Sequence, residues 1–364
     1  MSDADLPDPT AIEGAPHPRD TAHLFGQARA EADFLDAFNT GRLHHGWMLT
    51  GPRGVGKATL AWRIARFLLT RPATDAPPRT LDSDPESPVA RRIRAGAEPG
   101  IFVLKRGLND KETGLSQDIR VDDVRKLKGF LFLSAAEGGR RVVIVDAADD
   151  MNTQAANALL KLLEEPPERV TFLLITHQPA RLLPTIRSRC RELRLSQLAP
   201  GDMALALDRA GIETEGDDTT ALAALAVGSV GEAVRLIRLD GLETYARLVM
   251  LFGTLPRLER PRAIAIAEQM AGKQNEARFD LMLGLIDTFL ARLARSGVQG
   301  PPMPEAAPGE ADLFTRLAPN AAAAMKWASL HQTLGARARH GRGVNLDPAA
   351  LVMDMVLEMT AAAA

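Results

Sequence analysis

The sequence predicts an α/β fold on a parallel sheet in its first half and an all-helical second half. Three observations carry this reading. Short strand-like runs at 47–50, 101–104, 142–146, 170–176 and 192–195 are read as continuous apolar segments, as strands buried on both faces of a parallel sheet should be. Helical segments lie between them, which is the strand and helix alternation of a parallel α/β sheet. After Gln197 the strand-like runs stop, and helical patterns fill the remainder.

At 364 residues the chain exceeds what one core usually serves, so two or three domains are expected at roughly 100–200 residues each. Residues 1–20 hold four prolines, many acids and no apolar period, and are expected to form a disordered tail. They do not read as a signal sequence, and no run approaches the ~18 apolar residues of a membrane span. A soluble, cytoplasmic protein with no membrane contact is expected. Cys190 is the single cysteine, which excludes an internal disulfide or a cysteine zinc cluster and fits a reducing compartment. With 44 basic against 46 acidic residues there is no global basic field, so any DNA contact is local or shared with partners.

The run 46–50 leads into Gly51-Pro52-Arg53-Gly54-Val55-Gly56-Lys57 and then a helical stretch over 58–69, the strand, glycine loop and helix of a Walker A phosphate loop. Gly51, Pro52, Gly54, Val55, Gly56 and Lys57 are the expected phosphate cradle: bared backbone N–H groups, a positive helix end and an ammonium. Position 58 departs from the motif. Ala58 stands where Ser or Thr holds Mg²⁺, and Thr59 is turned by about 100° on the helix. Binding survives such a change, whereas metal-assisted hydrolysis does not. The polar, Pro-rich stretch 71–100 reads as a surface insertion with one short basic helix near 89–95.

Val142-Val143-Ile144-Val145-Asp146 ends a strand with a carboxylate, as a Walker B motif does, and Asp146 is a candidate nucleotide-site residue. An active ATPase of this type places Glu next; here Ala147 follows, and a methyl group accepts no proton. The alternative, which the upstream phosphate loop disfavours, is that Asp146 is a helix cap. His177 follows the strand 171–176 at the place of a γ-phosphate sensor, or is a solvated strand-end histidine. His44-His45 reads as a loop rather than a metal pair, and no histidine has metal-ligand spacing. In Leu183-Pro184-Thr185-Ile186-Arg187-Ser188-Arg189-Cys190, a proline-started helical turn mounts Arg189 beside a strand, pointing away from the chain's own pocket. Taken alone, Arg189 reads as an ordinary surface residue; with Ser188 in its turn it is also the candidate catalytic residue, able to act in trans on a neighbour's γ-phosphate.

Two later helices follow from apolar spacing, one through Phe279, Met282, Leu283, Ile286, Phe289, Leu290 and Leu293, the other capped by Asp347-Pro348 ahead of Leu351, Val352, Met355, Val356 and Met359. Such stripes read as bundle core. A Pro-rich loop lies near 300–310, and 337–342 reads as a short basic loop, solvated or touching phosphate.

Asn157-Ala158-Leu159-Leu160-Lys161-Leu162-Leu163-Glu164-Glu165-Pro166-Pro167, the sensor-like strand and Ser188-Arg189-Cys190, in this order, closely resemble the bacterial DNA polymerase III clamp loader subunits over 21–240. The resemblance implies an α/β RecA-like AAA+ module with parallel sheet over 21–197, a small helical lid over 198–240, and an all-α C-terminal collar domain over 241–364 that closes a five-subunit ring. Within the family the chain is similar to the delta-prime type rather than the motor type, gamma or tau. Gly231, in Gly228-Ser229-Val230-Gly231, stands where a motor carries its sensor 2 arginine. With Ala58, Ala147 and His177, several catalytic roles are altered together. The implied partners are gamma/tau motor subunits and the delta subunit, with the sliding clamp and primed DNA reached through the complex. ATP or ADP bound without turnover is the implied nucleotide. Family members commonly hold zinc with four cysteines after the P-loop helix; stretch 71–100 contains none, so no zinc or other metal is expected. The competing expectation is an autonomous ATPase in which Thr59 and Asp149 replace the missing ligands. A sequence-specific DNA-binding regulator finds no helix-turn-helix signature here.

Overall fold

In the computed structural model, residues 8–70, 77–109, 114–133, 139–214 and 216–363 are described. They form two compact units, the first of residues 8–212 with 228–231, the second of 213–227 with 232–363.

The first unit contains α1 (Ala28–Asn39), β1 (Gly46–Thr50), α2 (Lys57–Thr70), α3 (Pro88–Arg94), β2 (Ile101–Lys105), α4 (Val121–Leu133), β3 (Arg141–Asp146), α5 (Thr153–Glu164), β4 (Val170–Ile175), α6 (Pro184–Arg187), β5 (Arg191–Arg194) and α7 (Pro200–Arg209). The strands form one sheet in the order β2-β3-β4-β1-β5, and every neighbouring pair is parallel. A period of two divides each central strand between the sheet's faces. Met48, Val143, Val145, Phe172 and Leu174 join one core with Val124 and Leu127 of α4 and Leu159 and Leu163 of α5. The alternate residues Trp47, Leu49, Ile144 and Leu173 are equally buried, and Trp47 meets Phe34 of α1 with ring centroids 5.1 Å apart. The expectation of burial on both faces therefore holds for β1, β3 and β4. It fails for the two edge strands, β2, where only Leu104 is fully buried, and β5, where only Leu193 is, because the covering helices lie over the middle of the sheet.

Residues 8–20, expected within a disordered tail, pack instead on the first unit; residues 1–7 lie outside the described residues. The physical reason is on α2. Arg63 and Arg66 are buried on that helix and need acceptors, which Ala22 O and Arg19 O provide, the latter at 2.6 Å from Arg66 Nη2. His17 meets the edge of Trp62 at 6.0 Å, and Asp8 pairs with Lys105 Nζ at 2.8 Å. Against the opposing effect of burial, hydrogen bonds from Lys105 and Thr10 hold Asp8 down to about 2.

The second unit is helical among its described residues: α8 (Gly216–Ala226), α9 (Val230–Arg238, of which 232–238 belong here), α10 (Gly241–Gly253), α11 (Arg260–Glu268), α12 (Glu276–Gln299), α13 (Glu310–Leu317), α14 (Ala321–Gly343) and α15 (Pro348–Ala363). The stripe from Phe279 to Leu293 faces the core of α12, with only Leu283 partly exposed. Asp347 Oδ2 accepts from Ala350 N at 2.8 Å, so the expected cap of α15 forms. The basic stretch 337–342 is not a loop. It lies within α14, where Arg337 pairs with Asp354 at 2.7 Å and with Glu358, and Arg342 pairs with Glu276 and Asp280 of α12. Carboxylates on neighbouring helices thus neutralise charges that read as solvated in the sequence.

One polar cluster is fully enclosed in this unit. Glu310 is completely buried and receives Arg292 through Nε and Nη2, each at 2.8 Å, Tyr245 OH at 2.6 Å, and Ala306 N at 2.7 Å. Burial, followed by the adjacent carboxylate, pushes the Tyr245 hydroxyl far up, so it stays a donor. Breaking such a pair from one side strands the opposite charge. Glu310→Ala is expected to destabilise the second unit by about 3–5 kcal/mol, against about 1 kcal/mol for Tyr245→Phe, read from urea midpoints at neutral pH.

Candidate nucleotide site and arginine turn

The phosphate loop joins the C-terminal end of β1 to the first turn of α2, as the Walker A reading expects. Lys57 is almost wholly buried, and its ammonium turns back on the loop's own carbonyls, Gly51 O at 2.7 Å and Pro52 O. Burial brings its pKa down to about 8, with Asp149 and Asp146 opposing that fall. Ala58 and Thr59 follow in the first helical turn, both partly buried. Val55 is buried, and its carbonyl accepts from Gln27 Nε2 at 3.2 Å. Gln27 also bonds Ser196 through both its amide atoms, at 2.8 and 3.1 Å, tying the loop to the segment after β5. Nothing in the sequence marked Gln27, because its partners lie far along the chain.

Two neighbours crowd the cradle. Gly54 has φ +73°, and a Cβ there would strike Ser229 Oγ; its carbonyl accepts from Gly231 N at 3.3 Å. A Cβ on Gly56 would lie 2.5 Å from Leu24 Cδ1. The 228–231 turn and the segment before α1 therefore lie against the loop, within the same unit.

Asp146 ends β3 beside Ile175 of β4, and β4 adjoins β1, so the register brings Asp146 and the phosphate loop to one edge of the sheet. Asp149 follows in a short 3₁₀ turn, and its Oδ1 accepts from His177 N at 3.1 Å. His177 thereby joins the same edge. Its Nδ1 and the neighbouring Thr176 Oγ1 are buried without a partner. Burial, then Lys57, brings the His177 imidazole down to about 4, while burial pushes Asp146 up to about 7 against the pull of Lys57. The donors present at the loop, Lys57 and the loop N–H groups, suit a phosphate. They do not supply the hydroxyl ligand that a phosphate-bound Mg²⁺ takes at position 58. Among the described residues no group of three His, Cys, Asp or Glu converges as a metal site. His44, stacked on His45 at 4.3 Å, bonds through Nδ1 to Gly46 and so fixes the entry to β1.

The arginine turn lies elsewhere. α6 leads through Ser188, Arg189 and Cys190 into β5, whose Arg191 pairs with Trp47 near the start of β1. The phosphate loop leaves the other end of β1. Five residues of strand separate the two by about 15 Å, so this Arg189 belongs to the opposite sheet edge from its own Lys57. The turn is firmly held: Thr185 O accepts from Ser188 Oγ at 3.0 Å and from Arg189 Nη1 at 3.1 Å, and Arg189 N donates to Ile186 O. Arg189 Nη2 pairs with Glu164 Oε1 at 2.9 Å, with both side chains substantially exposed. Burial alone pushes the Cys190 thiol up to about 12, which leaves it a packing group.

A five-stranded parallel sheet ordered 2-3-4-1-5, with a phosphate loop after its first strand and an aspartate at the end of its third, defines an AAA+ module. Residues 26–199 match the sequence model of the family described as "DNA polymerase III, delta subunit". The DNA polymerase III subunit delta' of Pseudomonas aeruginosa is 45% identical over 148 residues, covering 40% of this chain and 41% of that protein. The delta' subunit of Escherichia coli is 34% identical over 208 residues, 56% of this chain and 58% of that one. A gamma/tau subunit of Mycobacterium tuberculosis is 34% identical over 192 residues, 53% and 31% respectively. Over this region the chain is similar to the delta' and the gamma/tau subunits of DNA polymerase III. The match spans about half the length or less of these curated relatives.

The Asp146 shift carries a testable sign. A carboxyl whose folded pKa lies near 7 binds its proton more tightly folded than unfolded, so its contribution is complete below about pH 4 and is lost as pH rises through 7. His177 acts oppositely, contributing above its unfolded value and losing that as pH falls through 4. Asp146→Asn removes only the first slope. Relative to the unsubstituted chain, its urea midpoint is expected to improve steadily from pH 4 to pH 7 by at most about 1.4 kcal/mol per pH unit, then level off.

Proposed function

We propose that this chain is a non-hydrolysing, delta-prime-like subunit of the replicative clamp loader, which lends Arg189 to the ATP site of a neighbouring gamma/tau-type motor subunit. The observation that carries the reading is the placement of Arg189 and Lys57 on opposite edges of one parallel sheet. A guanidinium so mounted serves another molecule's phosphate, and arginines acting in trans supply about 10³ to 10⁵ in rate by stabilising the charge of the transferring phosphoryl group. Ser188 shapes the turn; Arg189 makes the contact.

The chain's own pocket supports the same reading. Ala58 offers no metal ligand, Ala147 no base, and Gly231 no cation. ATP or ADP would be held by the loop N–H groups and Lys57, and a bound nucleotide would supply charge and order there rather than a turnover step. The competing reading, an autonomous ATPase that recruits Thr59 and Asp149, has less support because Asp149 already accepts from the His177 backbone. The delta subunit, the sliding clamp and primed DNA are the proposed further partners, reached in the cytoplasm through the assembled ring. The RecA-like, lid and collar division of the family is the proposed domain scheme.

Steady-state ATPase of the isolated chain tests the first half: turnover at or above about 1 s⁻¹ overturns the non-hydrolysing reading. The second half is tested in a loader reconstituted with motor and delta subunits. Arg189→Ala is expected to leave assembly intact and to lower DNA-stimulated ATPase about tenfold or more, whereas Lys57→Ala leaves clamp loading within about twofold. Loss of assembly with Arg189→Ala would make that arginine an interface anchor instead.

A further inference from the structure

We propose that Glu164 is the positioning residue for Arg189, holding the guanidinium in a weak latch from which it is presented to the neighbour's phosphate. The inference rests on the reading of Arg189 as a group donated in trans. Glu164 is the last residue of α5 and Glu165 its cap, so two carboxylates stand at the negative end of a helix, where cations are favoured. Local helix chemistry does not explain an acid there. Arg189 does, since its Nη2 lies 2.9 Å from Glu164 Oε1 while Nη1 donates to Thr185 O at 3.1 Å.

These two contacts grip the guanidinium from two elements, α5 and α6, and leave its remaining N–H donors for an incoming anion. Held this way, a long side chain has already given up much of its rotamer freedom before it meets phosphate. The grip is also easily released. Glu164 and Arg189 are 40% and 37% exposed, and ion pairs at such sites are weak, so phosphate oxygens can displace the carboxylate. A buried partner would hold the arginine too tightly; none at all would leave it scattered.

The test is a double-mutant cycle in the reconstituted loader, with Arg189→Ala, Glu164→Gln and the two combined. The readouts are kcat and KM for ATP in the DNA-stimulated reaction, with melting of the isolated subunit as the folding control. Glu164→Gln keeps the side chain's size and removes its charge. It is expected to lower kcat about five- to tenfold, to leave KM within about twofold, and to have no further effect once Arg189 is alanine. Equal losses in both arginine backgrounds, or an unchanged kcat in Glu164→Gln beside a lowered one in Arg189→Ala, would overturn the latch and leave the donated arginine standing. An unchanged kcat in Arg189→Ala would remove the donated arginine itself, and the role of Glu164 with it.

Discussion

Because every strand in the sheet runs the same way, the protein has two chemically different edges, and all of its functional geometry follows from that polarity. The C-terminal ends of β1, β3 and β4 gather the phosphate loop, Asp146 and His177. The opposite edge receives the entry to β1, the end of α5 and the arginine turn before β5. An antiparallel arrangement would mix these groups. Here Arg189 and the phosphate loop are kept about 15 Å apart at opposite ends of one strand.

Much of this was legible in the sequence where burial is nearly complete. β1, β3 and β4 read as unbroken apolar runs because both faces are covered, and the glycine loop announced itself because phosphate cradles need bared N–H groups. The arginine turn was legible as a turn, but its partner was not: Glu164 belonged to a motif without an assigned role, and its pairing with Arg189 crosses two elements. The failures share a physical cause. The segment 8–20 looked unstructured because composition registers its acids and prolines, and not the buried Arg66 of α2 that takes the Arg19 carbonyl. Residues 337–342 looked like a basic loop because the compensating acids lie on α12 and α15. Glu310 stood beside a Pro-rich loop with no sign that Arg292 and Tyr245 would enclose it. Pairings of distant polar groups leave no periodicity to read.

The electrostatics of the pocket follow from its burial. Desolvation dominates there: it lowers Lys57, lowers His177 and raises Asp146, so near neutrality each group carries less charge than it would in water. A hydrolysing site of this kind offsets that cost with Mg²⁺, held partly by the hydroxyl after the lysine. Ala58 removes the ligand, and with it one means of keeping Asp146 ionised. Lys57 meanwhile satisfies its ammonium on Gly51 and Pro52 carbonyls, and Leu24 and Ser229 close on the glycines. Under the non-hydrolysing role proposed above, a base at position 147 and a cation at 231 would have no transition state to serve. Under the same proposal the arginine turn is under no such release, since its chemistry would be completed by another subunit's phosphate and not by anything at its own edge of the sheet.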